Sequence, residues 1–413
     1  MSRTGRLSVL LAVVSAAVAV PSPALAHGIG GRADLPVPLG YFLAGAGVVL
    51  IVSFVALSVL WKTPRLQDGV APTSGGVRLG SWVPAIGSIL GIGFLLLVIT
   101  AGLFGVQNGT RNVAPSTVWV VFWLVLPFGS VVIGNVYAAL NPWKTLSRLI
   151  LPDAVERKEL LARWGVYPAA VALFAFTWLE LVWSDSSSPR TLAVAALVFS
   201  FYVLGLAAWV GPNTAMQVGE PFTTYNRVIS AIAPLGRNSD GRLIWRGWIR
   251  ALPVLPEWRG LTLFLIVMIG TVSYDGLSVT SWWRDLLGGH SGAMWAETVG
   301  MVAIIGVIGG AYWIASLAAV ELSGSDRSAA GIAASFAHTL VPIALAYAFA
   351  HYFTLVLFEG QLFISTISDP LGQGWNLFGT AGREISSWLS PEAVWYVQVA
   401  AIVLGHVAGV VLA

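Results

Sequence analysis

The chain is divided into nine apolar stretches of about 20 residues, separated by short polar segments. A helix of this length crosses the hydrocarbon core of a bilayer, because each residue rises ~1.5 Å and every backbone amide is paired within the segment. Only 10% of the residues are charged, against roughly 25% in soluble domains. The sequence therefore predicts an all-α fold, a polytopic transmembrane helix bundle. The nine predicted spans are approximately Gly40–Trp61, Pro84–Val106, Pro115–Leu140, Val166–Trp183, Thr191–Val210, Gly260–Thr280, Val299–Val320, Gly331–Phe358 and Pro391–Ala413.

Residues 1–26 have the layout of a secretory signal peptide, with two arginines, an apolar run and a small-residue cleavage site that ends at Ala26. Cleavage there makes His27 the first residue of the mature chain. An uncleaved signal anchor is the alternative, and it leaves the side assignment of everything downstream unchanged. In both cases we expect residues 27–413 to form a single transmembrane helical domain.

The Lys and Arg residues are distributed unevenly between the two sides of the predicted membrane. With residue 27 outside, the inner loops contain 15 of them and the outer segments contain 5, while the signal holds the other two of the 22. This positive-inside pattern predicts an outside N-terminus, an inside C-terminus and a multi-pass location in a bacterial cytoplasmic membrane. Two inner segments, about 143–164 and 221–258, mix Arg, Trp and Leu as interfacial helices do.

Several classes of site are excluded by what the sequence lacks. The chain has no Cys, which rules out disulfides, thiolate metal ligands, iron–sulfur clusters and cysteine nucleophiles. It has no Gly-x-Ser-x-Gly elbow, His-Glu-x-x-His motif, P-loop or dinucleotide fingerprint. Because membrane topology explains the excess of basic residues, we expect the lipid bilayer as a partner and no nucleic acid.

Three ionisable side chains lie near the predicted outer ends of three spans: Glu180, Asp275 and His351. Counting from the span ends places each of them within ~10 Å of the outer surface. Since a carboxylate at membrane depth costs at least ~2.5 kcal/mol, we expect both acids to face a partner or a water-filled cavity instead of lipid. Tyr347 lies one turn before His351 and Tyr274 adjoins Asp275, so both tyrosines can orient or hydrogen-bond a neighbour.

This predicted outer site, formed by Asp275, His351, Glu180, Tyr347 and Tyr274, fits two kinds of hydrolytic chemistry. The two carboxylates and the imidazole could bind a divalent metal and lower the pKa of its bound water. The same groups could instead pair as general base and orienting group for attack by water. The structural alternative is that both acids simply reach the interface and the imidazole satisfies a backbone carbonyl.

Other histidines offer alternative cofactor sites. His338 and His406 lie at matching depths of ~10 Å on the cytoplasmic side, where two imidazoles on neighbouring helices could hold a haem or a metal. Hydrogen bonding between helices is the simpler role for this pair. After signal cleavage, His27 could chelate copper through its free amine and imidazole, and an ordinary mobile terminus is the plain alternative.

Three pairs of glycines are spaced four residues apart within predicted spans. They are Gly87 and Gly91, Gly306 and Gly310, and Gly405 and Gly409. Such spacing permits the close approach of a neighbouring helix. It also arises by chance in a chain with 45 glycines, so it predicts packing and carries no functional meaning.

Several short strings of the sequence resemble those of actinobacterial membrane proteins of the fenitrothion hydrolase-like family, and the resemblance covers nearly the whole chain. The strings are Ala26-His27-Gly28, Asp34-Leu35-Pro36, Asn141-Pro142-Trp143, Thr271-Val272-Ser273-Tyr274-Asp275-Gly276, Ala337-His338, His351-Tyr352-Phe353 and Gly405-His406-Val407-Ala408-Gly409. The resemblance implies hydrolysis of an organophosphorus ester by a membrane-bound enzyme, with an apolar ester as substrate. It supplies no catalytic residues, and the chain lacks the His-x-His metal pair of soluble phosphotriesterases. Hydrolysis would therefore use a different site, such as the outer one.

Two other functions stay open on the sequence. In an ion- or proton-coupled transporter, the same ionisable residues carry the coupling ion, and Pro342 and the Gly-rich helices allow movement. A non-catalytic membrane subunit that scaffolds a partner would explain why standard catalytic motifs are missing.

Overall fold

The computed structural model describes residues 82–413 without a break, together with residues 75–80 and the single positions 47, 48, 52, 55 and 66. The predicted signal, His27 and most of the first predicted span lie outside these described residues. The described part is helical apart from one antiparallel hairpin, in which Gly236 pairs with Ile244. This hairpin lies within the long segment between the fifth and sixth predicted spans.

The described helices are joined mostly by short connections. They are α1 (Trp82–Phe104), α2 (Val113–Ile133), α3 (Tyr137–Leu140), α4 (Pro142–Ile150), α5 (Glu159–Trp164), α6 (Tyr167–Leu181), α7 (Pro189–Val210), α8 (Pro212–Val218), α9 (Pro221–Ile229), α10 (Leu261–Ser278), α11 (Ser281–Leu287), α12 (Met294–Ser323), α13 (Ala329–Ser335), α14 (Leu340–Thr366) and α15 (Pro391–Leu412). The two long connections precede α10 and α15. Strands β1 (Leu235–Arg237) and β2 (Leu243–Trp245) lie between α9 and α10. Short 3-10 turns occupy Ser230–Ile232, Gly288–His290 and Ala337–Thr339.

Seven of these helices are long and apolar enough to cross a membrane: α1, α2, α7, α10, α12, α14 with the turn before it, and α15. The remaining apolar helix, α6, is shorter, at 15 residues. Many large apolar side chains on the long helices are exposed, as contact with lipid requires. The chain is therefore an all-α, multi-pass membrane protein, as the sequence predicts in outline.

Helix α14 is longer than the sequence predicts. The polar residues Glu359 and Gln361 suggest an earlier end, yet the helix continues to Thr366. Gln361 is satisfied there because its Nε2 donates to a carbonyl of its own helix at 2.9 Å and to the Ser386 carbonyl at 3.0 Å. His351 consequently lies near the middle of α14, about 22 Å before the helix end, instead of within ~10 Å of it.

The central part of α2 is π-helical. Over Ser116–Val125 the hydrogen bonds run from an N–H to the carbonyl five residues back, and a π turn is rare outside functional sites. The stretch presents Trp119 and Trp123 on one side, where both rings pack on Phe176 with centroid distances of 5.3 and 4.9 Å. An unusual backbone therefore positions the two indoles.

The short helices α8 and α9 are largely buried between the longer ones. Each begins with a proline, whose missing N–H is not needed in a first turn. Each also has its N-terminal amides bonded by a glutamate, Glu156 for α8 and Glu220 for α9. Phe222 of α9 packs on Phe176 at 4.9 Å within the main hydrophobic core. The segment 221–258, which the sequence predicts as interfacial, thus begins with a core helix.

The three glycine pairs differ in their surroundings. On α1, a Cβ added at Gly91 would overlap the carbonyl oxygen of Leu140. On α15, a Cβ at Gly409 would lie 2.9 Å from the carbonyl oxygen of Thr339. The pair on α12 has no atom within 4 Å of an added Cβ. Close packing therefore occurs at two of the three pairs.

We expect Gly91→Ala to destabilise the protein, because the added methyl group forces α1 and α3 apart at a cost of about 1–3 kcal/mol. Gly93 is the matched control, since it lies on the same helix and nothing is within 4 Å of a Cβ there. Gly93→Ala should leave the melting temperature in detergent unchanged or raise it, because alanine favours the helix. Equal melting temperatures for the two variants would contradict the close contact.

Candidate functional site

Asp275 is the centre of the site. It lies in the last turn of α10, and its Oδ2 atom meets two polar groups from the middle of α14. His351 Nε2 lies 2.8 Å from this oxygen, and the Tyr352 hydroxyl donates to it at 2.9 Å. Asp275 is only 4% exposed, so these contacts form inside the protein. Because His351 and Tyr352 point ~100° apart around their helix, they hold the carboxylate from two directions.

A second carboxylate, Glu180 from the last turn of α6, lies close enough to Asp275 for the two charges to interact. Its Oε2 atom is closed off from solvent and has no hydrogen-bond partner among the described residues. The neighbouring indole Nε1 of Trp123 is likewise enclosed and lies beside this carboxylate, without the full geometry of a hydrogen bond among the described residues. Buried polar atoms are nearly always paired, so these two enclosed atoms mark an unusual place in the core.

A small cavity adjoins these residues and is about the size of one water molecule. Trp123, Tyr225, Thr271 and Tyr352 contribute its polar side chains. The other walls are apolar and come from Leu124, Leu173, Met268, Val272, Ala344 and Ala348. Tyr225 enters from α9, with its ring 5.1 Å from that of Trp123. The cavity therefore joins the buried helix α9 to the Asp275 centre.

The two tyrosines of the predicted site lie in different surroundings in the structure. Tyr347 stays beside His351, with their ring centroids 6.5 Å apart. Tyr274 points elsewhere, because its hydroxyl donates to Glu297 Oε2 at 2.6 Å. Adjacent residues in a helix differ by ~100° in direction, so Tyr274 cannot follow Asp275 toward α14.

The predicted metal site is not arranged as one. Among residues 75–80 and 82–413, no group of three or more His, Asp or Glu side chains could hold a metal ion, and this includes Glu180, Asp275 and His351. Glu180, Asp275 and His351 lie near one another, although His351 is in the middle of α14 and not near the helix end as its depth in the sequence predicts. His351 and Asp275 form a hydrogen-bonded pair, and Glu180 interacts with Asp275 through its charge.

His338 and His406 lie toward the same end of the α14–α15 pair. His338 Nδ1 is 2.9 Å from the Ser335 carbonyl oxygen, which is a bond within its own stretch of chain. His406 lies three residues before Gly409, which packs on Thr339, next to His338. A haem or metal held by both imidazoles stays a prediction.

A second buried carboxylate cluster surrounds Glu220, which is 0% exposed. Its Oε1 accepts from the Tyr137 hydroxyl at 3.3 Å and from the Phe222 N–H at 3.1 Å. Its Oε2 accepts from Asn141 Nδ2 at 3.1 Å, from the Thr223 N–H at 2.8 Å and from the Thr223 hydroxyl. All five donors are neutral groups.

Burial raises the pKa of Glu220 to about 7, although the hydrogen bonds from Thr223, Phe222 and Tyr137 act in the opposite direction. Glu156 binds the first turn of α8 in a similar way, but its pKa shifts in the opposite direction. Burial works to raise its pKa, and the hydrogen bonds from Asn213 and Thr214 outweigh this and lower the pKa. The pKa values of the two glutamates therefore shift in opposite directions because Glu220 is more deeply buried.

The sequence does not single out Trp123, Tyr225, Tyr352 or Glu220. The three aromatic residues carry no charge at neutral pH and do not stand out among 19 Trp and 10 Tyr. The predicted spans place Glu220 in an inner loop. A carboxylate followed by proline is nevertheless typical of a helix start. That signal could have placed Glu220 at the first turn of a helix, but not in the core.

No known protein family, curated protein or solved structure matches this chain. The chemistry of the site therefore rests on its residues. An imidazole and a tyrosine hydroxyl bonded to one carboxylate, with a second carboxylate nearby, can accept, hold and pass on a proton. The same His–Asp pair can also act as an oriented general base.

The raised pKa of Glu220 means that the folded chain holds this proton more tightly than the unfolded chain. Stability should therefore fall as the pH rises from 4.5 to about 7, by on the order of 3 kcal/mol, and then level off. Glu220→Gln cannot ionise and should remove this part of the pH dependence. Glu156→Gln is the matched control and should keep it. Parallel profiles for wild type and Glu220→Gln, measured by denaturation in detergent, would disprove the assignment.

Proposed function

We propose that this chain is a proton-translocating membrane protein of the transporter class, and that Glu180, Asp275 and His351 carry the proton. One observation supports this above all: two interacting carboxylates are enclosed among apolar helices with a single imidazole beside them. The seven membrane-length helices of the described chain contain no Lys, and their one Arg is Arg190 at the start of α7. Ionisable groups placed this way in a membrane typically belong to ion pathways.

The charges of the cluster explain why a proton belongs there. A protonated His351 can balance one ionised carboxylate, Asp275, at 2.8 Å. Among the described residues Glu180 has no ion-pair partner, and an unpaired charge in an apolar interior is costly. A proton bound by the cluster removes that cost. Movement of the proton between the acids and the imidazole changes which groups are charged, and this is the step that a coupled transporter needs.

His351 can connect the cluster to its surroundings through its second ring nitrogen. A Cβ at Gly276 would lie 3.9 Å from His351 Nδ1 and 3.6 Å from the Tyr347 hydroxyl oxygen, so both polar groups border this glycine. Nε2 meanwhile faces Asp275. An imidazole has two ring nitrogens, so it can accept a proton on one side and release it on the other.

We further propose the complete topology that the sequence predicts: a cleaved or anchoring signal, nine spans, an outside N-terminus and an inside C-terminus. The uneven distribution of Lys and Arg supports this orientation. In this topology the Asp275 end of α10 points to the outer side of the cytoplasmic membrane. The cluster is then reached from the outside more directly than from the inside.

Proton movement can be measured in proteoliposomes that contain an internal pH dye and are driven by a potassium diffusion potential. Asp275→Asn and Glu180→Gln should each slow proton entry by about tenfold or more, because each removes a titratable group without changing its shape. Asp285→Asn is the matched control, since this carboxylate is exposed on α11. Wild-type rates in both cluster variants would rule out the relay.

Hydrolysis of an apolar organophosphorus ester is the second candidate, and the His351–Asp275 pair favours it. A carboxylate that orients an imidazole is the arrangement of a general base acting on water. Cleavage of a paraoxon-type ester by the purified protein should then be lost in His351→Ala and kept in His290→Ala, a change at an exposed histidine. If neither flux nor cleavage occurs, a non-catalytic subunit that scaffolds a membrane partner takes their place.

A further inference from the structure

Helix α9 connects the two buried carboxylate clusters. Glu220 lies at its N-terminus and accepts its first amide hydrogen bonds. Tyr225, five residues later, lines the cavity beside Trp123 and Tyr352. Tyr352 in turn donates to Asp275. One short helix thus touches Glu220 at one end and the neighbours of the proposed relay at the other.

Glu220 also has a link toward the protein surface. The Thr223 hydroxyl donates to Glu220 Oε2, and Thr223 lines a separate small hollow with Gln217, Thr224 and Arg227. Arg227 is exposed to solvent, so the hollow reaches the surface of the described structure. Its guanidinium stacks over a tryptophan ring at 4.1 Å instead of pairing with an acid. Thr223 therefore contacts both the buried carboxylate and a hollow whose walls are partly polar and partly apolar, the latter from Leu161, Val166 and Trp258.

The groups that face Glu220 do not neutralise its charge. Tyr137 donates from α3 and Tyr202 of α7 lies close enough to interact with its charge, while the Tyr202 hydroxyl itself donates to the Gly219 carbonyl at 3.0 Å. Lys144 of α4 is directed to the Ala138 carbonyl at 2.9 Å. The other donors to Glu220 are an amide side chain, a hydroxyl and backbone N–H groups.

Capping of α9 does not require such burial. Glu156 binds the first turn of α8 in the same manner, with bonds to the Asn213 N–H at 2.8 Å and the Thr214 N–H at 2.9 Å, and it remains partly exposed. A surface glutamate is thus sufficient for the role of a cap in this fold. The fully enclosed position of Glu220 needs another explanation, because burying a carboxylate is costly.

We propose that Glu220 is a second proton-binding site, loaded from the aqueous surface through the Thr223 hydroxyl and connected along α9 to the Asp275 cluster. This inference rests on the proposed proton relay and adds a second proton-binding site to it. In the predicted topology, Glu220 belongs to the inner side and the Asp275 cluster to the outer side. A proton crossing the protein then has one enclosed carboxylate to occupy near each side.

Infrared difference spectroscopy of the protein in liposomes detects a protonated carboxyl group directly through its C=O stretching band. Between about pH 5 and about pH 9 we expect a band that titrates near neutral pH in the wild type, is absent in Glu220→Gln and persists in Glu156→Gln. Tyr137→Phe removes a donor to the ionised form and should move the midpoint of this titration upward. This variant serves as a second test if Glu220→Gln does not fold. No band dependent on Glu220 and no shift in Tyr137→Phe would overturn the proposal and leave Glu220 as an ionised cap.

The link to the relay is tested with Thr223→Val, which removes the hydroxyl but keeps the shape of the side chain. Proton entry into proteoliposomes should slow by about tenfold or more while the Glu220 band remains. If protons enter at the wild-type rate in both Thr223→Val and Glu220→Gln, Glu220 does not take part in proton movement. The absence of flux in the wild type would instead count against the proposed relay, and the infrared titration would still decide whether Glu220 binds a proton.

Discussion

A carboxylate inside an apolar bundle without nearby cations must find neutral donors or a proton, and this requirement organises the described structure. Asp275 is held by an imidazole and a tyrosine, and Glu220 by five neutral donors. Glu297 near the start of α12 accepts from the Tyr274 hydroxyl and the Trp283 indole in the same way. Asp275 of α10 is bonded to two groups of α14, whereas the donors to Glu220 and to Glu297 come from more than one element. Each acid thus helps to fix the relative position of neighbouring helices.

The aromatic core complements these polar anchors. Phe222 of α9 packs against Phe122 at 4.6 Å and Phe176 at 4.9 Å, between Glu220 on one side and the Trp123 cavity on the other. Aromatic rings at these distances gain both dispersion and favourable edge-to-face contacts. The rings thus form an apolar wall beside both acidic clusters, which raises the cost of an unpaired charge there.

The sequence predicts the class of the fold and part of the site. The length and spacing of the apolar stretches are sufficient for the multi-pass helical architecture, because the bilayer allows few alternatives. Counting from the predicted span ends selects Asp275, His351 and Glu180, but it places His351 near the end of its helix, whereas α14 continues to Thr366 and His351 lies near its middle. It cannot distinguish Tyr352, which meets Asp275, from Tyr274, which faces Glu297. That choice depends on how α10 and α14 are rotated against their neighbours, which no local pattern records.

The π-helical stretch of α2 affects the direction of its side chains. Each hydrogen bond of this stretch spans one residue more than in an α-helix. The side chains after the stretch therefore point in different directions from those that an unbroken α-helix would give them. The indole that borders Glu180 therefore comes from the part of α2 whose backbone departs from an α-helix. Its direction toward the acid is set by the π-helical turns and not by the α-helical turns on either side.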